Sequence, residues 1–203
     1  MGTPKGLVVH RGQTFLEWQI ARLADAGVET ATVVLGHGAS DYRAKVAFVD
    51  AALGARDARV GSVSIRVVLN PEPDRGPFSS LVVALHGLLT EFAELEGVFV
   101  LPVDVPCPKP PTWSALRSRF DASRPGLSPV ALVPTVAGRG GHPVLVDRAF
   151  AARLVARDPN GPGARLDHAI AELGEEAKVR VPVDDLRAVM NLNTPEDFAR
   201  FDV

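Results

Sequence analysis

Apolar residues along the chain fall into two alternating patterns, one typical of helices and one of strands. Over residues 14–26 they recur at helical spacing, with Thr14 and Glu17 forming a capping-box pattern and Gly27 at the C-terminal stop. The next run, residues 30–35, is short, apolar and rich in β-branched residues, as in a buried parallel strand. A helix followed directly by such a strand is a repeating unit of α/β folds.

The same alternation continues over the rest of the chain. It predicts further helices over residues 41–53, 79–92, 111–120, 148–156 and 163–173, and further strands over residues 64–69, 98–101, 129–134, 143–146, 178–183 and 188–192. A final helix is predicted to open at Thr194 and Pro195, because an N-cap threonine followed by proline and acids is a good helix start. We therefore predict a three-layer, Rossmann-like α/β fold with a mostly parallel sheet and helices on both faces.

Composition narrows the class of protein. The 203 residues are 46% hydrophobic and 23% charged, which predicts one globular domain over residues 1–203. A net charge of −2 gives no electrostatic reason to expect nucleic acid as a partner. No apolar run is long enough to span a bilayer or to resemble a secretory signal. The expectation is a cytoplasmic protein, monomeric or homodimeric, that acts on small molecules.

The first candidate for chemistry is an aspartate at the end of a predicted strand. Ligands of open parallel sheets bind beyond the carboxyl ends of the strands. Asp104 follows the strand predicted over residues 98–101, in a loop stiffened by Pro102 and Pro106. A carboxylate in that position is suited to hold Mg²⁺ against phosphate oxygens, whereas the alternative is an aspartate that only caps the loop.

A second candidate segment follows the strand predicted over residues 64–69. Asn70 ends this strand, and Gly76, Ser79 and Ser80 precede the next predicted helix. The amides at such a helix N-terminus could receive a phosphate or the edge of a base, with the two hydroxyls beside them. The alternative is an ordinary capped helix without a ligand.

Two later turns also carry polar groups. In the glycine-rich turn over residues 138–143, Gly141 lets the backbone approach a ligand, and His142 presents a polar ring at a reversal fixed by Pro143. The alternative is a turn with an exposed histidine. Asn191 and Asn193 follow the last predicted strand, where an amide oxygen can complete a magnesium shell or form an Asx turn.

Other reactive or charged side chains are given structural roles. Cys107, the one cysteine, cannot form an intramolecular disulfide and is expected to be a small packed side chain rather than a nucleophile. The neighbouring acids Asp184 and Asp185 are expected to be solvated loop charges.

Six short segments resemble, in order, the motifs of one enzyme family. Residues 1–5 resemble the end of L-x-x-G-x-S-x-R-M-G-x-x-K, and residues 101–106 resemble L-P-V-D-x-P. Residues 75–81 resemble R-G-M-x-x-S-L with Pro77 in place of methionine, residues 141–143 match G-H-P, and residues 163–165 match G-A-R. Residues 191–197 resemble D-x-D-T-P-E-D with asparagine at both aspartates. These motifs are similar to those of the MobA-like nucleotidyltransferases, which include the cytidylyl- and guanylyltransferases of the molybdenum cofactor.

The resemblance implies a role for each matching segment. Lys5 would contact phosphates of the nucleotide or acceptor, Asp104 would bind Mg²⁺, and Asn191 or Asn193 would complete the metal site. The serines of residues 75–81 would lie near the base and ribose, and the G-H-P turn near the acceptor. The implied reaction is an in-line attack by a phosphate oxygen of the acceptor, expected to be molybdopterin, on the α-phosphorus of CTP or GTP, with release of pyrophosphate.

Three alternatives stay open. In the resembling family a first strand and a glycine-rich loop precede the segment that matches Met1 to Lys5, so the natural protein would be longer, or the chain would be a folded relative that no longer turns over. A sugar-phosphate or polyol-phosphate nucleotidyltransferase would share Lys5 and Asp104 but have a different acceptor pocket, and the G-H-P turn argues against it.

Overall fold

The computed structural model of the chain describes residues 2–55, 58–122, 130–161 and 163–201. Helices and strands alternate, and the α/β class predicted from the sequence is confirmed. The helices are α1 (Phe15–Asp25), α2 (Ala39–Lys45), α3 (Ala47–Ala55), α4 (Pro77–Glu91), α5 (Pro110–Ala122), α6 (Arg148–Val155), α7 (Leu166–Ala171) and α8 (Pro195–Phe201). The strands are β1 (Val9–His10), β2 (Gln13–Thr14), β3 (Thr30–Leu35), β4 (Ala58–Val60), β5 (Val63–Leu69), β6 (Gly97–Val100), β7 (Ala131–Val136), β8 (Arg139–Gly140), β9 (Val144–Asp147) and β10 (Lys178–Pro182).

The described strands form two larger sheets and a short β1–β2 hairpin. One sheet has the order β3-β5-β4, and the other has the order β10-β7-β9-β6 with β8 beside β7. β3 is parallel to β5 and β10 is parallel to β7, whereas β9 is antiparallel to both of its neighbours. β6, β7 and β10 therefore share one direction. The antiparallel β9 follows from chain length, because residues 137–143 are too few for the crossover that a parallel neighbour of β7 requires.

Helices cover both faces of the second sheet. In β9, Val144 and Val146 pack with residues of α4 and α6, while Leu145 packs with Leu116 and Phe120 of α5. This division follows the period-two alternation of strand side chains. All four residues of β9 are buried, three consecutive apolar residues followed by Asp147, so the strand does not show the alternation of a half-exposed one.

The helix predicted over residues 41–53 is divided into α2 and α3. The break is at Val46, which has extended backbone angles (φ −123°, ψ 101°) and a fully buried side chain. An extended valine at this point brings α3 onto β5 and places Val46 in the core with Val49 and Ile65. Burial of the side chain therefore outweighs continuation of one helix.

The prediction of a strand over residues 188–192 is wrong. Leu186–Val189 forms a 3₁₀ turn instead, and Asp185 caps it by accepting the Arg187 amide. Asp185 also corrects the expectation of a solvated acid, because it is 4% exposed and accepts the Lys109 amide at 2.6 Å and the Thr112 hydroxyl at 3.1 Å. Ala188 and Leu192 are buried here without a strand, since a short apolar run indicates burial but does not fix the element.

Two other sequence-based expectations concern the strand over residues 129–134 and the absence of an apolar run that could span a bilayer. Pro129, the first residue of the strand predicted over residues 129–134, lies outside the described residues, and the strand is observed as β7. Across the described ranges, none of the helices combines the length and the apolar character needed to cross a membrane.

Candidate functional site

A lysine, an aspartate and an asparagine that are far apart in sequence meet in the folded chain. The Lys5 ammonium donates to Asp104 Oδ2 at 2.8 Å and to Asn193 Oδ1 at 2.6 Å. The Leu192 amide donates to the Asp104 carbonyl at 2.7 Å, which joins the loop after β6 to the segment before α8. The Lys5 and Asp104 side chains are 32% and 27% exposed, so the pair is partly desolvated but open on one side.

The position of Lys5 is fixed by a buried tyrosine on α2. The Gly6 amide donates to the Tyr42 hydroxyl at 3.1 Å, and a Cβ built on Gly6 would lie 2.6 Å from that oxygen. Burial raises the pKa of Tyr42, so the hydroxyl stays neutral and can accept the amide. Sequence reasoning missed Tyr42, although it is the one tyrosine of the chain.

The loop that carries Asp104 is held by a buried glutamine on α1. Gln19 Nε2 donates to the carbonyls of Val105 at 2.7 Å and Val103 at 3.4 Å, and Gln19 Oε1 accepts the Cys107 amide at 2.5 Å. These bonds flank Asp104 on both sides. Sequence reasoning missed Gln19, but it left a signal, because a glutamine four residues after Phe15 lies on the apolar stripe of an amphipathic helix.

Replacing Gln19 with leucine is expected to loosen this loop. The change leaves the Val105 carbonyl and the Cys107 amide without partners in a buried place, at a cost of about 2–4 kcal/mol in the free energy of unfolding. Divalent metal affinity is expected to fall as well, because Asp104 is no longer held in position. The measurements are urea denaturation and Mn²⁺ titration followed by electron paramagnetic resonance.

The isosteric variant Gln19→Glu provides the matched control. A glutamate keeps the acceptor for the Cys107 amide but loses the donor to the Val103 and Val105 carbonyls, so its metal affinity is expected to lie between those of the native protein and the leucine variant. Native metal affinity in the leucine variant would show that Gln19 contributes only to stability.

The Asn70 segment forms a network at the start of α4. Asn70 Nδ2 donates to Ser79 Oγ at 2.8 Å and to Ser80 Oγ at 3.0 Å, and Ser79 Oγ donates to the Gly76 carbonyl at 2.7 Å. Asn70 and Ser79 are 6% and 5% exposed, and Gly76 has a φ of 81°, a left-handed angle that favours glycine. Asn70, Gly76 and Ser79 therefore shape the start of α4. The fourth candidate of this segment, Ser80, lines the adjacent cavity.

The turn at residues 141–143 is packed against the 3₁₀ turn at Leu186–Val189. The Gly141 amide donates to the Pro134 carbonyl at 2.9 Å, and the His142 amide donates to the Ala188 carbonyl at 2.8 Å. A Cβ on Gly141 would overlap the Ala188 carbonyl oxygen. The glycine at this position is thus explained by close packing of two backbones.

His142 is held as a neutral imidazole with one ring nitrogen available. Its Nδ1 lies 3.3 Å from the Val100 carbonyl oxygen, and a carbonyl only accepts, so Nδ1 carries the proton and Nε2 is an acceptor. Burial lowers the pKa of His142 below its ordinary value of 6.5, which keeps the ring neutral at pH 7. His142 can therefore accept a hydrogen bond from a ligand hydroxyl or amine.

The candidate side chains differ in their relation to one large cavity, which has a volume of about 1680 Å³. The candidate residues on its wall are Lys5, Ser80, Asp104, Gly141 and His142. Asn193 is exposed and joins this group through its bond to Lys5, and Asn191, two residues earlier, is also exposed and lies outside the cavity wall. The carboxyl ends of β3 and β6 thus bring together residues from five separate stretches of sequence.

The oxygen donors beside Lys5 fit a hard divalent cation. Among the residues that the structure describes, no cluster of three or more His, Cys, Asp or Glu side chains could hold a metal on its own. Asp104 and Asn193 instead offer one carboxylate and one amide oxygen, with the Lys5 ammonium as the cation between them. Such a small donor set suits Mg²⁺, which usually keeps several waters and takes substrate phosphates as further ligands.

Cys107 lies near Asp104 in sequence but is not poised for chemistry. Its side chain is fully buried, and burial raises the pKa of its thiol to about 12. The thiolate is the reactive form of cysteine, so this residue is inert at neutral pH.

Comparison with known proteins identifies related chains. The sequence model of one protein family, the MobA-like NTP transferase domain, matches residues 1–184 of this chain. No curated protein matches the chain. Among solved structures, the manganese complex of Rv0371c from Mycobacterium tuberculosis is 22% identical, with a TM-score of 0.67 over 97% of this chain and 90% of that one.

Two further structures share this fold at lower identity. Molybdopterin-guanine dinucleotide biosynthesis protein A from Archaeoglobus fulgidus is 18% identical, with a TM-score of 0.65 over 99% of this chain and 90% of that one. The 4-diphosphocytidyl-2C-methyl-D-erythritol synthase from Anaerococcus prevotii is 13% identical, with a TM-score of 0.64 over 98% and 93% of the two chains. At these identities the likeness establishes the fold.

Proposed function

Because this chain belongs to the MobA-like NTP transferase family, we propose that it transfers a nucleoside monophosphate from CTP or GTP to a phosphorylated acceptor. Pyrophosphate is the second product. The observation that carries the proposal is the meeting of Lys5 and Asp104 on the wall of the large cavity with Asn193, which is bonded to Lys5. Polyphosphate chemistry requires a positively charged hydrogen-bond donor for the phosphate oxygens beside oxygen ligands for a metal ion, and these residues supply both.

Asp104 and Asn193 are proposed to hold Mg²⁺ through their side-chain oxygens. When bound, Mg²⁺ neutralises charge on the reacting phosphates. The manganese in the Mycobacterium tuberculosis structure supports a divalent cation in this fold. Lys5, displaced from Asp104 by the incoming cation, would then donate to a phosphate oxygen of the nucleotide or acceptor and offset the charge that builds in the transition state.

The chain's other residues are proposed to divide between the two substrates. Ser80 lines the cavity, and we propose that it receives the nucleotide together with the backbone amides at the start of α4, since helix N-termini favour anions and polar edges. His142 Nε2 is proposed to accept a hydrogen bond from the acceptor and to orient it. A phosphate oxygen of the acceptor attacks the α-phosphorus, a new P–O bond forms, and the bond to the β-phosphate breaks with the leaving pyrophosphate.

Molybdopterin is the acceptor we propose. The segments that resemble the molybdenum cofactor enzymes include the G-H-P turn, whose His142 lines the cavity. The name of the Archaeoglobus fulgidus protein, a molybdopterin-guanine dinucleotide biosynthesis protein, is in line with this acceptor. The proposed test is pyrophosphate release from CTP and from GTP with Mg²⁺ and one of three acceptors: molybdopterin, a sugar 1-phosphate or a polyol phosphate.

Each outcome of this assay has a distinct meaning. Release that needs both Mg²⁺ and molybdopterin is the expected result, and the faster nucleotide defines the specificity. Release only with the sugar or polyol phosphate would replace the proposed acceptor. Absence of release under all conditions would favour an inactive nucleotide-binding relative.

Replacing Lys5 with methionine is expected to move metal affinity and turnover in opposite directions. Without the ammonium, Asp104 and Asn193 have no competing cation, so Mn²⁺ is expected to bind several-fold more tightly in the absence of nucleotide. Turnover is expected to fall about 10²-fold, because the transition-state charge loses a donor. Electron paramagnetic resonance and steady-state kinetics measure the two effects.

Lys45 on α2 is the matched control for this experiment. It is exposed, so Lys45→Met makes the same chemical change away from the site. Both metal affinity and turnover should stay at the native level. A Lys5→Met variant that binds Mn²⁺ more weakly than the native chain would contradict the proposed competition.

A further inference from the structure

A row of side chains crosses the second sheet from β6 to β10, and every member of the row lines the large cavity. Val100 of β6 is paired with Val144 of β9. Arg180 of β10 is paired with Val133 of β7. The antiparallel register of β7 with β9, continued by one residue, sets Val133 opposite Val144. We call the three valines the valine row, and Arg180 lies at its β10 end.

The valine row and Arg180 lie on the same face of the sheet. The three valines pack with the apolar cluster that contains residues of α4 and α6. Val179 and Val181, the neighbours of Arg180 in β10, pack with residues of α5 on the opposite face, so the Arg180 side chain is on the α4 side. Adjacent strands lie about 4.8 Å apart, so the three steps from β6 to β10 give a row about 14 Å long.

The β6 end of the valine row adjoins the site described above. His142 Nδ1 lies 3.3 Å from the carbonyl oxygen of Val100, and Asp104, in the loop after β6, is bonded to Lys5. Burial lowers the pKa of His142, whereas the charges of Asp104 and Asp167 oppose that change, so both carboxylates lie within electrostatic range of the ring. Asp167 also lines the cavity. The cavity therefore continues from the Lys5 end past His142 to the β10 end.

Arg180 is the cation at the β10 end that pairs with no carboxylate. Two other cations line this part of the cavity, and both are neutralised: Arg165 is ion-paired with Asp167 at 2.8 Å. Lys178 is ion-paired with Glu175 at 2.8 Å. In the part of the chain that the structure describes, no hydrogen bond or ion pair holds the exposed Arg180. Its guanidinium therefore keeps a fork of N–H donors that matches a carboxylate or a phosphate.

Protection of a sheet edge is the structural alternative for Arg180. β10 is the last strand in the order of its sheet, and charged side chains on edge strands hinder association between edges. That role needs a charge near the edge, but it gives no reason for an unpaired guanidinium to line a cavity together with the valine row. A polar group at the end of an apolar floor is instead typical of a ligand pocket.

We propose that Arg180 binds a second anionic group of the acceptor, separate from the phosphate that reacts beside Lys5. This inference rests on the proposed function, because it specifies the acceptor of that same site. The acceptor then carries two anionic groups and an apolar or flat part that lies on the valine row. Molybdopterin meets this requirement, since its dithiolene sulfurs add a second anion to its phosphate. A sugar 1-phosphate or a polyol monophosphate has one anion and would leave Arg180 without a partner.

The test measures the binding of two probes by isothermal titration calorimetry at low ionic strength with Mg²⁺. Octane-1,8-diol bisphosphate has a phosphate at each end of an apolar chain, and 8-hydroxyoctyl phosphate replaces one of these phosphates with a hydroxyl. The chains compared are the native protein, Arg180→Gln, Arg180→Lys and Arg153→Gln. Arg153 is exposed on α6 and lies outside the cavity wall, so its variant makes the same chemical change away from the proposed subsite.

The expected result is a preference for the bisphosphate that depends on Arg180. The native chain and Arg153→Gln should bind the bisphosphate about tenfold or more tightly than the monophosphate, because hydrogen bonds from a guanidinium to a phosphate are charge-assisted. Arg180→Gln should bind both probes alike. Arg180→Lys should keep part of the difference, since lysine keeps the charge but not the fork. Circular dichroism and light scattering check that all chains have the same fold and oligomeric state.

Other results would overturn the proposal. Equal affinity of the native chain for both probes, or no binding of either, excludes a second anion subsite. A preference that persists in Arg180→Gln excludes Arg180, and self-association of that variant would then assign Arg180 to the edge of β10. The calorimetry needs no turnover, so the result does not depend on catalysis. If Lys5→Met binds both probes as the native chain does while the Arg180 effect holds, the subsite stands and the position proposed for the reacting phosphate fails.

Discussion

Replacing Asp104 with alanine is expected to lower magnesium-dependent pyrophosphate release about 10³-fold or more, roughly 4 kcal/mol in the activation barrier. Asp104 supplies the carboxylate that pairs with the Lys5 ammonium, so its loss removes the charged ligand of the proposed metal site. The fold should persist, because the Asp104 side chain is partly exposed and its carbonyl keeps the bond from Leu192. Steady-state kinetics with CTP and GTP measure the effect.

Asp184 supplies the control for this variant. It is an exposed aspartate outside the cavity wall, and Asp184→Ala should retain native turnover. The comparison needs circular dichroism and urea denaturation of both variants to establish equal folding. Near-native turnover in a well-folded Asp104→Ala protein would remove Asp104 from the metal site.

Replacing Gly141 with alanine is expected to destabilise the protein by about 3 kcal/mol or more. The added methyl group overlaps the Ala188 carbonyl oxygen, and backbone cannot move aside as a flexible side chain does. The amide bonds of Gly141 to Pro134 and of His142 to Ala188 would be strained together, because they hold the same pair of turns. The midpoint of urea denaturation measures the loss.

The same glycine-to-alanine substitution at Gly87 in α4 is expected to change stability in the opposite direction. It is exposed, and a Cβ there meets nothing within 4 Å, so Gly87→Ala should stabilise the protein by about 1 kcal/mol through helix propensity. If Gly141→Ala were as stable as the native chain, the contact between the 141–143 turn and the 3₁₀ turn would not be as close as described.

The sequence predicted the elements whose signals are local. The capping box at Thr14 and Glu17 is present at the start of α1, and the strand predicted over residues 30–35 coincides with β3. Asp104 was chosen because it follows a strand, and ligands of open parallel sheets bind beyond the carboxyl ends of the strands, so this choice needed no knowledge of long-range contacts. Lys5 came from the family resemblance, and Asn193 was placed after a strand that does not form. The fold nevertheless brings the three together across separations of 99 and 188 positions.

The residues that sequence reasoning missed act through tertiary contacts. Gln19, Tyr42 and Asp185 have no motif, and each acts by bonding the backbone of a distant segment. Burial of Asp185 depends on where α5 begins, which the acidic pair itself does not indicate. A polar residue on an apolar helix stripe, as at Gln19, is the signal that could have been used.

Tertiary packing also determined two elements that the periodicity of apolar residues could not predict. The helical pattern over residues 41–53 is continuous, but the buried and extended Val46 divides it, because the core needs its side chain between α3 and β5. The apolar residues 188–192 could equally have formed a strand, and the cap from Asp185 selects a 3₁₀ turn. The length of a short apolar run carries too little information to separate these outcomes.

The central claim is that Lys5, Asp104 and Asn193 form the metal and phosphate site, and Mn²⁺ titration followed by electron paramagnetic resonance tests it most directly. The native chain and Asp184→Ala should bind one Mn²⁺ with equal affinity, and addition of CTP or GTP should tighten that binding, since the phosphates supply further ligands. Asp104→Ala should lose the site. Unchanged Mn²⁺ binding in Asp104→Ala, with or without nucleotide, would contradict the claim.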